Sequence, residues 1–229
     1  MPDLGATFYF DLASPLAYLA AERVLHTMPG PCEWQPVLAR TLKGTPSGAQ
    51  ASELPGAESF EAFRCREDED IFRSELERRV RELGLQELRW PDPFPFDSEF
   101  AMRVATYAKS IGKVVAFAQA AFRQAFAGGR PLDTLDNVLI AAAACEMHPL
   151  AVQKGAALRS VHEGLRAATA TAAEHGVTDV PAIKVGQRIF HGERALEEAA
   201  DRARPSASSG SGSGSQERDD ESRATRAAR

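Results

Sequence analysis

Strand-forming sequence appears only near the two ends of this chain, with a long helical stretch between. Residues 6–11, Ala-Thr-Phe-Tyr-Phe-Asp, are aromatic-rich and weakly alternating, which reads as a buried strand. Glu33-Trp34-Gln35-Pro36-Val37-Leu38 reads as a second, its proline pointing to a sheet edge or a strand end. Far along the chain, Val180 to Val185 and Arg188-Ile189-Phe190 form two more, joined by Gly186-Gln187 in a tight-hairpin pattern. A helix fills the first gap. Ser14 caps it, Pro15 takes the favoured first position, and it runs to about His26 before the Pro29-Gly30-Pro31 turn. A last helix spans about Glu193 to Arg202. The ends therefore read β-α-β and β-β-α.

The middle has a different texture. Residues 41–57 are rich in Gly, Pro and Ser and read as a loop. A charged amphipathic helix follows from Ala57 to Leu83, with Phe60, Phe63, Ile71, Leu76, Val80 and Leu83 on its apolar side and Gly84 as its stop. Trp90-Pro91-Asp92-Pro93-Phe94-Pro95-Phe96 can be neither helix nor central strand, so it crosses a surface with its aromatics turned inward. Three helical patterns come next: from the Ser98 cap to about Ile111, from Val114 to Ala127, and from Asp133 or Thr134 to before His148-Pro149. One or two more lie between Leu150 and His175, closing at Gly176. Residues 205–229 are Ser/Gly-rich and then mixed in charge, a composition that predicts disorder.

One mixed sheet results if the helical middle folds outward. The predicted fold class is α/β, a thioredoxin-like fold carrying a large all-helical insertion. Residues 1–40 and 176–204 would form a discontinuous thioredoxin-like domain, 41–175 the insertion, and 205–229 a tail.

Composition narrows the function. A formal net charge of −5 favours neither nucleic acid nor an anionic membrane surface. No apolar run approaches the roughly 20 residues of a membrane span, and the start of the chain lacks the basic and apolar regions of a signal peptide. A cytoplasmic protein is expected. Cys32, Cys65 and Cys145 are scattered and form no C-x-x-C pair, which argues against a disulfide framework or a zinc site. The five histidines make no metal spacing, and no phosphate-loop or nucleophile-elbow pattern is present.

The chemistry points to the corner at Ser14. A helix N-terminus offers free N–H groups and partial positive charge to an anion. Ser14 adds a hydroxyl there, which cannot perform disulfide exchange but can donate to a thiolate on another molecule. Spacing alone leaves a plain N-cap as an equal reading. Tyr18 lies four residues on, on the same helix face, and could wall a pocket beside the hydroxyl or belong to the core. Val180-Pro181 opens a strand after a polar turn. A cis bond there would expose the backbone N–H and C=O of Val180 to a ligand, whereas a trans proline would merely start the strand.

Three stretches carry a family resemblance: Phe8-Tyr9-Phe10-Asp11-Leu12-Ala13-Ser14-Pro15, Gly176-Val177-Thr178-Asp179-Val180-Pro181, and Phe190-His191-Gly192-Glu193-Arg194-Ala195-Leu196. Together they resemble the DsbA-type thioredoxin superfamily, and within it the branch of 2-hydroxychromene-2-carboxylate isomerases and kappa-class glutathione transferases. The likeness extends from residue 6 to 203. It implies that Ser14 hydrogen-bonds a thiol sulfur and that Val180, beside a cis Pro181, pairs its backbone with glutathione or another low-molecular-weight thiol. It also implies an electrophilic, aromatic-derived small-molecule substrate and a homodimer. The alternatives are a thiol-disulfide oxidoreductase of the DsbA group and a non-catalytic thioredoxin-fold binding protein.

Several positions depart from that branch, the first being Leu16, where the family often has an aromatic after the Ser-Pro pair. Arg194 stands where the family has an acid that holds the glutamyl end of glutathione, and His191 stands where it has tryptophan. Glu193 is the candidate to take over the acid's role, and His191 is a candidate titratable group at the pocket rim.

Overall fold

A computed structural model describes residues 5–42 and 66–204. Strand β1 (Ala6–Phe10) lies in the middle of a four-stranded sheet. It pairs in parallel with β2 (Cys32–Pro36) and antiparallel with β3 (Ala182–Val185), which pairs antiparallel with β4 (Arg188–His191). The order β2-β1-β3-β4 makes β2 an edge strand, where Pro36 sits at the strand end. This is the mixed sheet that the two chain ends predict.

Alternation along β1 divides the core into two layers. Phe8 and Phe10 point to one face, where both pack edgewise on Trp34 at 5.0 and 5.8 Å between ring centres. Tyr9 points to the other face and joins Val37, Val180 and Ala182. The first layer belongs to α1 (Pro15–Thr27) and α9 (Ala195–Ala203).

The remaining helices come from the middle of the chain. They are α2 (Ala39–Leu42), α3 (Arg66–Glu82), α4 (Glu99–Ser110), α5 (Val114–Phe126), α6 (Leu135–Ala143), α7 (Pro149–Ala156) and α8 (Arg159–Glu174). The region from Leu150 to His175 thus holds two helices, with Gly176 closing the second at φ 91°. The α3 helix begins at Arg66 among the described residues, and the expected segment from Ala57, with Phe60, Phe63 and Cys65, lies outside them. Most of the loop expected over 41–57 does too, while Thr41 and Leu42 belong to helix α2.

Buried apolar side chains run without a break from the sheet into α4, α5 and α6. Tyr18 of α1 stacks on Phe126 of α5 at 5.6 Å, and Phe10 of β1 meets Phe122 at 5.9 Å. The proline-rich crossing behaves as its composition predicts: Trp90, Phe94 and Phe96 turn inward, with the Arg73 guanidinium 4.8 Å from the centre of the Trp90 ring. Its Asp92-Pro93 and Phe94-Pro95 bonds are cis.

One buried carboxylate ties these pieces together. Asp11 accepts from the Ala13 amide at 3.0 Å, from the Ala39 amide at 3.0 Å and from the Ser98 hydroxyl at 2.6 Å. The three donors lie in the β1–α1 turn, at the start of α2 and at the start of α4. Ser98 therefore does not cap α4 with its side chain as the sequence predicts, because its hydroxyl is committed to Asp11. Asp97 accepts the Glu99 amide instead, at 2.9 Å.

Asp11→Ala should cost about 3 kcal/mol in urea unfolding, because two buried donors lose their acceptor. Asp11→Asn should cost about 1–2 kcal/mol, since one amide then faces a donor. A change no larger than that of an exposed substitution would remove Asp11 from this role.

Candidate functional site

The β1–α1 turn delivers Ser14 to the N-terminus of α1. Its backbone is extended and its oxygen accepts from the Ala17 amide at 3.1 Å, the N-cap geometry that the Ser-Pro pair predicts. The same oxygen lies 3.4 Å from the Val180 carbonyl, to which the hydroxyl donates. Val180-Pro181 is cis. Two segments 166 residues apart in sequence are thus brought together at one corner.

The corner is also well covered, since Ser14 and Val180 are each only 2 % exposed. The Val180 amide is not free for a ligand as the sequence reading expects; it donates to Asp179 Oδ1 at 2.7 Å. The short acidic side chain ahead of the proline folds back onto the amide that follows it.

Tyr18 is 1 % exposed and packed between Phe122 and Phe126, so it supports α1 from within the core rather than walling an open pocket. Burial pushes its phenol up to about 12, with the Glu22 carboxylate acting in the same direction. The helix face shared with Ser14 points at α5 because α1 packs between α5 and α9.

The third element of the expected site lies at the far edge of the sheet. Glu193 forms an ion pair with Arg79 of α3 and is 25 % exposed. Arg194 stands 80 % exposed and reaches Glu198 only at 3.9 Å. His191 Nε2 accepts from the Thr178 amide at 3.2 Å, placing it beside the turn that leads to Val180. Partial burial lowers its pKa below the ordinary imidazole value, while the Gly176 backbone pulls the other way.

Sequence reasoning missed Asp11, which shapes the turn carrying Ser14. Burial raises its carboxyl above the ordinary range, while Ser98, the two backbone donors and Arg40 pull it back. A single Asp at the end of an apolar strand has no local signature of such a role. Among the cysteines, burial pushes the Cys32 thiol up to about 12 and also raises Cys145. Both are unpaired. Among the described residues, no group of three or more His, Cys, Asp or Glu could hold a metal ion, and no helix is long and apolar enough to cross a membrane.

A β-α-β and β-β-α sheet, a capped helix N-terminus facing a cis-proline strand, and a helical middle define a protein of the thioredoxin class. The DSBA-like thioredoxin domain matches residues 6–204, and the chain belongs to that family. No curated protein matches it. Among solved structures, it is similar to 2-hydroxychromene-2-carboxylate isomerase, at a TM-score of 0.70 and 19% identity over 86% of this chain and 94% of that one. A structure described as a probable DsbA oxidoreductase from Streptomyces coelicolor gives 0.66 and 19% over 86% and 87%. The cytosolic disulfide reductase DsbM from Pseudomonas aeruginosa, with GSH, gives 0.56 and 14% over 87% and 96%. These likenesses show the shared fold.

The Thr178–His191 contact requires an unprotonated Nε2. A folded-state pKa below the unfolded value means that this contact stabilises above the ordinary histidine range, near pH 6.5, and is lost as pH falls through the lowered value. A proton NMR titration should therefore give His191 a midpoint below 6.5, with the Thr178 amide shifting in step. A midpoint at or above the ordinary value would show that the contact does not hold in solution.

Proposed function

We propose that this protein is a thioredoxin-fold enzyme that takes glutathione or another low-molecular-weight thiol as cofactor and acts on an electrophilic, aromatic-derived small molecule as an isomerase or transferase. The observation that carries this reading is the state of the Ser14 hydroxyl. Its oxygen is fixed by Ala17, but among the described residues its proton has only the long 3.4 Å contact with Val180. A neutral hydrogen bond of that length is weak. An anionic sulfur at the N-terminus of α1 would be the better acceptor.

A bound thiol would supply the nucleophilic sulfur that the chain lacks at this corner. Ser14 would donate to that sulfur and keep it ionised, and the backbone of Val180 beside Pro181 would align the rest of the molecule. That alignment requires the Val180 amide to leave Asp179. The fold likeness to an isomerase and to a reductase solved with GSH supports a thiol ligand.

The fit is better at the sulfur than at the glutamyl end of glutathione. Arg194 offers no carboxylate for an ammonium group, and Glu193 is engaged by Arg79. These two facts, with the cover over Ser14, favour a second reading, a non-catalytic binding protein on the same fold. Disulfide exchange by the two cysteines among the described residues is disfavoured, because it needs an attacking thiolate and burial keeps the Cys32 and Cys145 thiols protonated at neutral pH. Cys32 and Cys145, both unpaired, suit a cytoplasmic setting. A homodimer completes the proposal, drawn from the family resemblance alone.

Calorimetric titration with glutathione and a panel of small thiols tests this directly. At least one should bind, and Ser14→Ala should weaken it about tenfold through loss of one charge-assisted hydrogen bond. Replacing Cys32, Cys65 and Cys145 together should leave the affinity unchanged. If no thiol binds, the enzymatic reading fails and the binding-protein reading stands.

A further inference from the structure

A cavity of about 620 Å³ opens between α2, α4 and α8. That volume lies within the roughly 300–1,000 Å³ of small-molecule sites. None of its lining residues is Ser14, Val180 or a hydrogen-bond partner of Ser14.

Its charges do not balance. Arg40 is matched by Asp97 at 3.0 Å and by Glu99, a cation between two carboxylates that leaves one negative charge at the rim and no cation to spare. Arg103 on α4 and Arg166 on α8 also line the cavity, and neither has a carboxylate partner among the described residues. The Arg103 Nη1 donates to His162 Nε2 at 2.9 Å, and its Nε is buried with no hydrogen-bond partner in the described structure. A guanidinium whose one acceptor here is an imidazole nitrogen, and which carries an unmet buried donor, is short of an acceptor.

The lining is also graded along α8. His162 and Arg166, one turn apart, occupy the N-terminal half of the face. Ala170 and Ala173 carry the face toward the C-terminal half, where Leu38 adds to the apolar surface. Thr169 offers nothing further, because its hydroxyl accepts from the Leu38 amide and donates to the Leu165 carbonyl. One end of the cavity is cationic and the other apolar.

We infer that this cavity binds a small organic anion, with an oxyanion headgroup, carboxylate or phosphate, against Arg103 and Arg166 and an apolar body along Ala170 and Ala173. Both guanidinium forks suit planar or tetrahedral oxyanions. The inference stands apart from the thiol reading, since it uses neither Ser14 nor Val180.

The test is equilibrium titration of the full chain with octanoate, octyl phosphate and the neutral octanamide. At least one of the two acids should bind about tenfold or more tighter than octanamide, and the tighter one identifies the headgroup. Arg166→Gln, an exposed and unpaired position whose change spares the fold, should weaken that acid roughly fivefold while moving octanamide by less than about twofold. Arg103→Gln should do the same or more. Equal affinities for acid and amide, no binding of any probe, or acid affinities untouched by both substitutions would overturn the assignment.

Discussion

The buried Asp11 carboxylate is the constraint on which this architecture turns. Its two oxygens accept from three segments that are distant in sequence: the turn after β1, the start of α2 and the start of α4. A carboxylate taken out of water is costly unless its lone pairs are met, and here the donors that meet it are those that position the helices around the sheet. The amide of Leu12, next in sequence, reaches Met102 Sδ of α4 at 3.2 Å. Ser14 follows three residues after Asp11, and its own amide donates to the Asp11 carbonyl at 3.0 Å. The placement of the Ser14 hydroxyl is therefore inherited from the junction between sheet and helices.

That dependence explains which features were legible in the sequence. Ser14-Pro15 and Gly186-Gln187 are local devices whose backbone requirements are written in adjacent residues, and both form where the sequence predicts. The order of strands followed from the spacing of apolar runs. Asp11, by contrast, draws its meaning from donors 28 and 87 residues away, and no periodicity links them. The same holds for Glu193: the motif shows an acid beside Arg194, but its partner Arg79 lies on a helix that only the packed structure brings near. Tyr18 was ambiguous for a different reason. Helical spacing puts it on the Ser14 face but says nothing of α5, whose Phe122 and Phe126 enclose the ring.

Helix α8 reaches both regions of interest. Its C-terminal end leads through Gly176 to Val180 and Pro181, while one of its faces lines the cationic cavity. Thr169 fixes it to the link between β2 and α2 by accepting from the Leu38 amide. A helix pinned at its middle this way holds a fixed distance between its two ends, so the two regions are positioned by one element without sharing residues. Their chemistry differs: one offers a weakly held hydroxyl proton, the other two guanidinium groups without a carboxylate partner among the described residues.

The magnitudes decide whether a serine at this corner is enough to matter. A helix N-terminus contributes about 0.3–1 kcal/mol to a nearby anion, rising toward 2 where the site is partly buried. A hydrogen bond to a charged acceptor adds about 1.5–3 kcal/mol. Summed, and at 1.36 kcal/mol per tenfold, these would bring a thiol pKa from an ordinary value near 8.5 down to roughly 5–7. Covering the corner strengthens both effects, because less water competes for the charge. It also penalises the anion by desolvation, which raises its pKa. Ser14 at 2 % exposure lies where these opposing effects are largest. The corner favours a sulfur anion only while Ser14 and the first-turn amides solvate it better than water did, which is why the long contact from Ser14 to Val180, a proton not yet firmly spent, governs the chemistry available there.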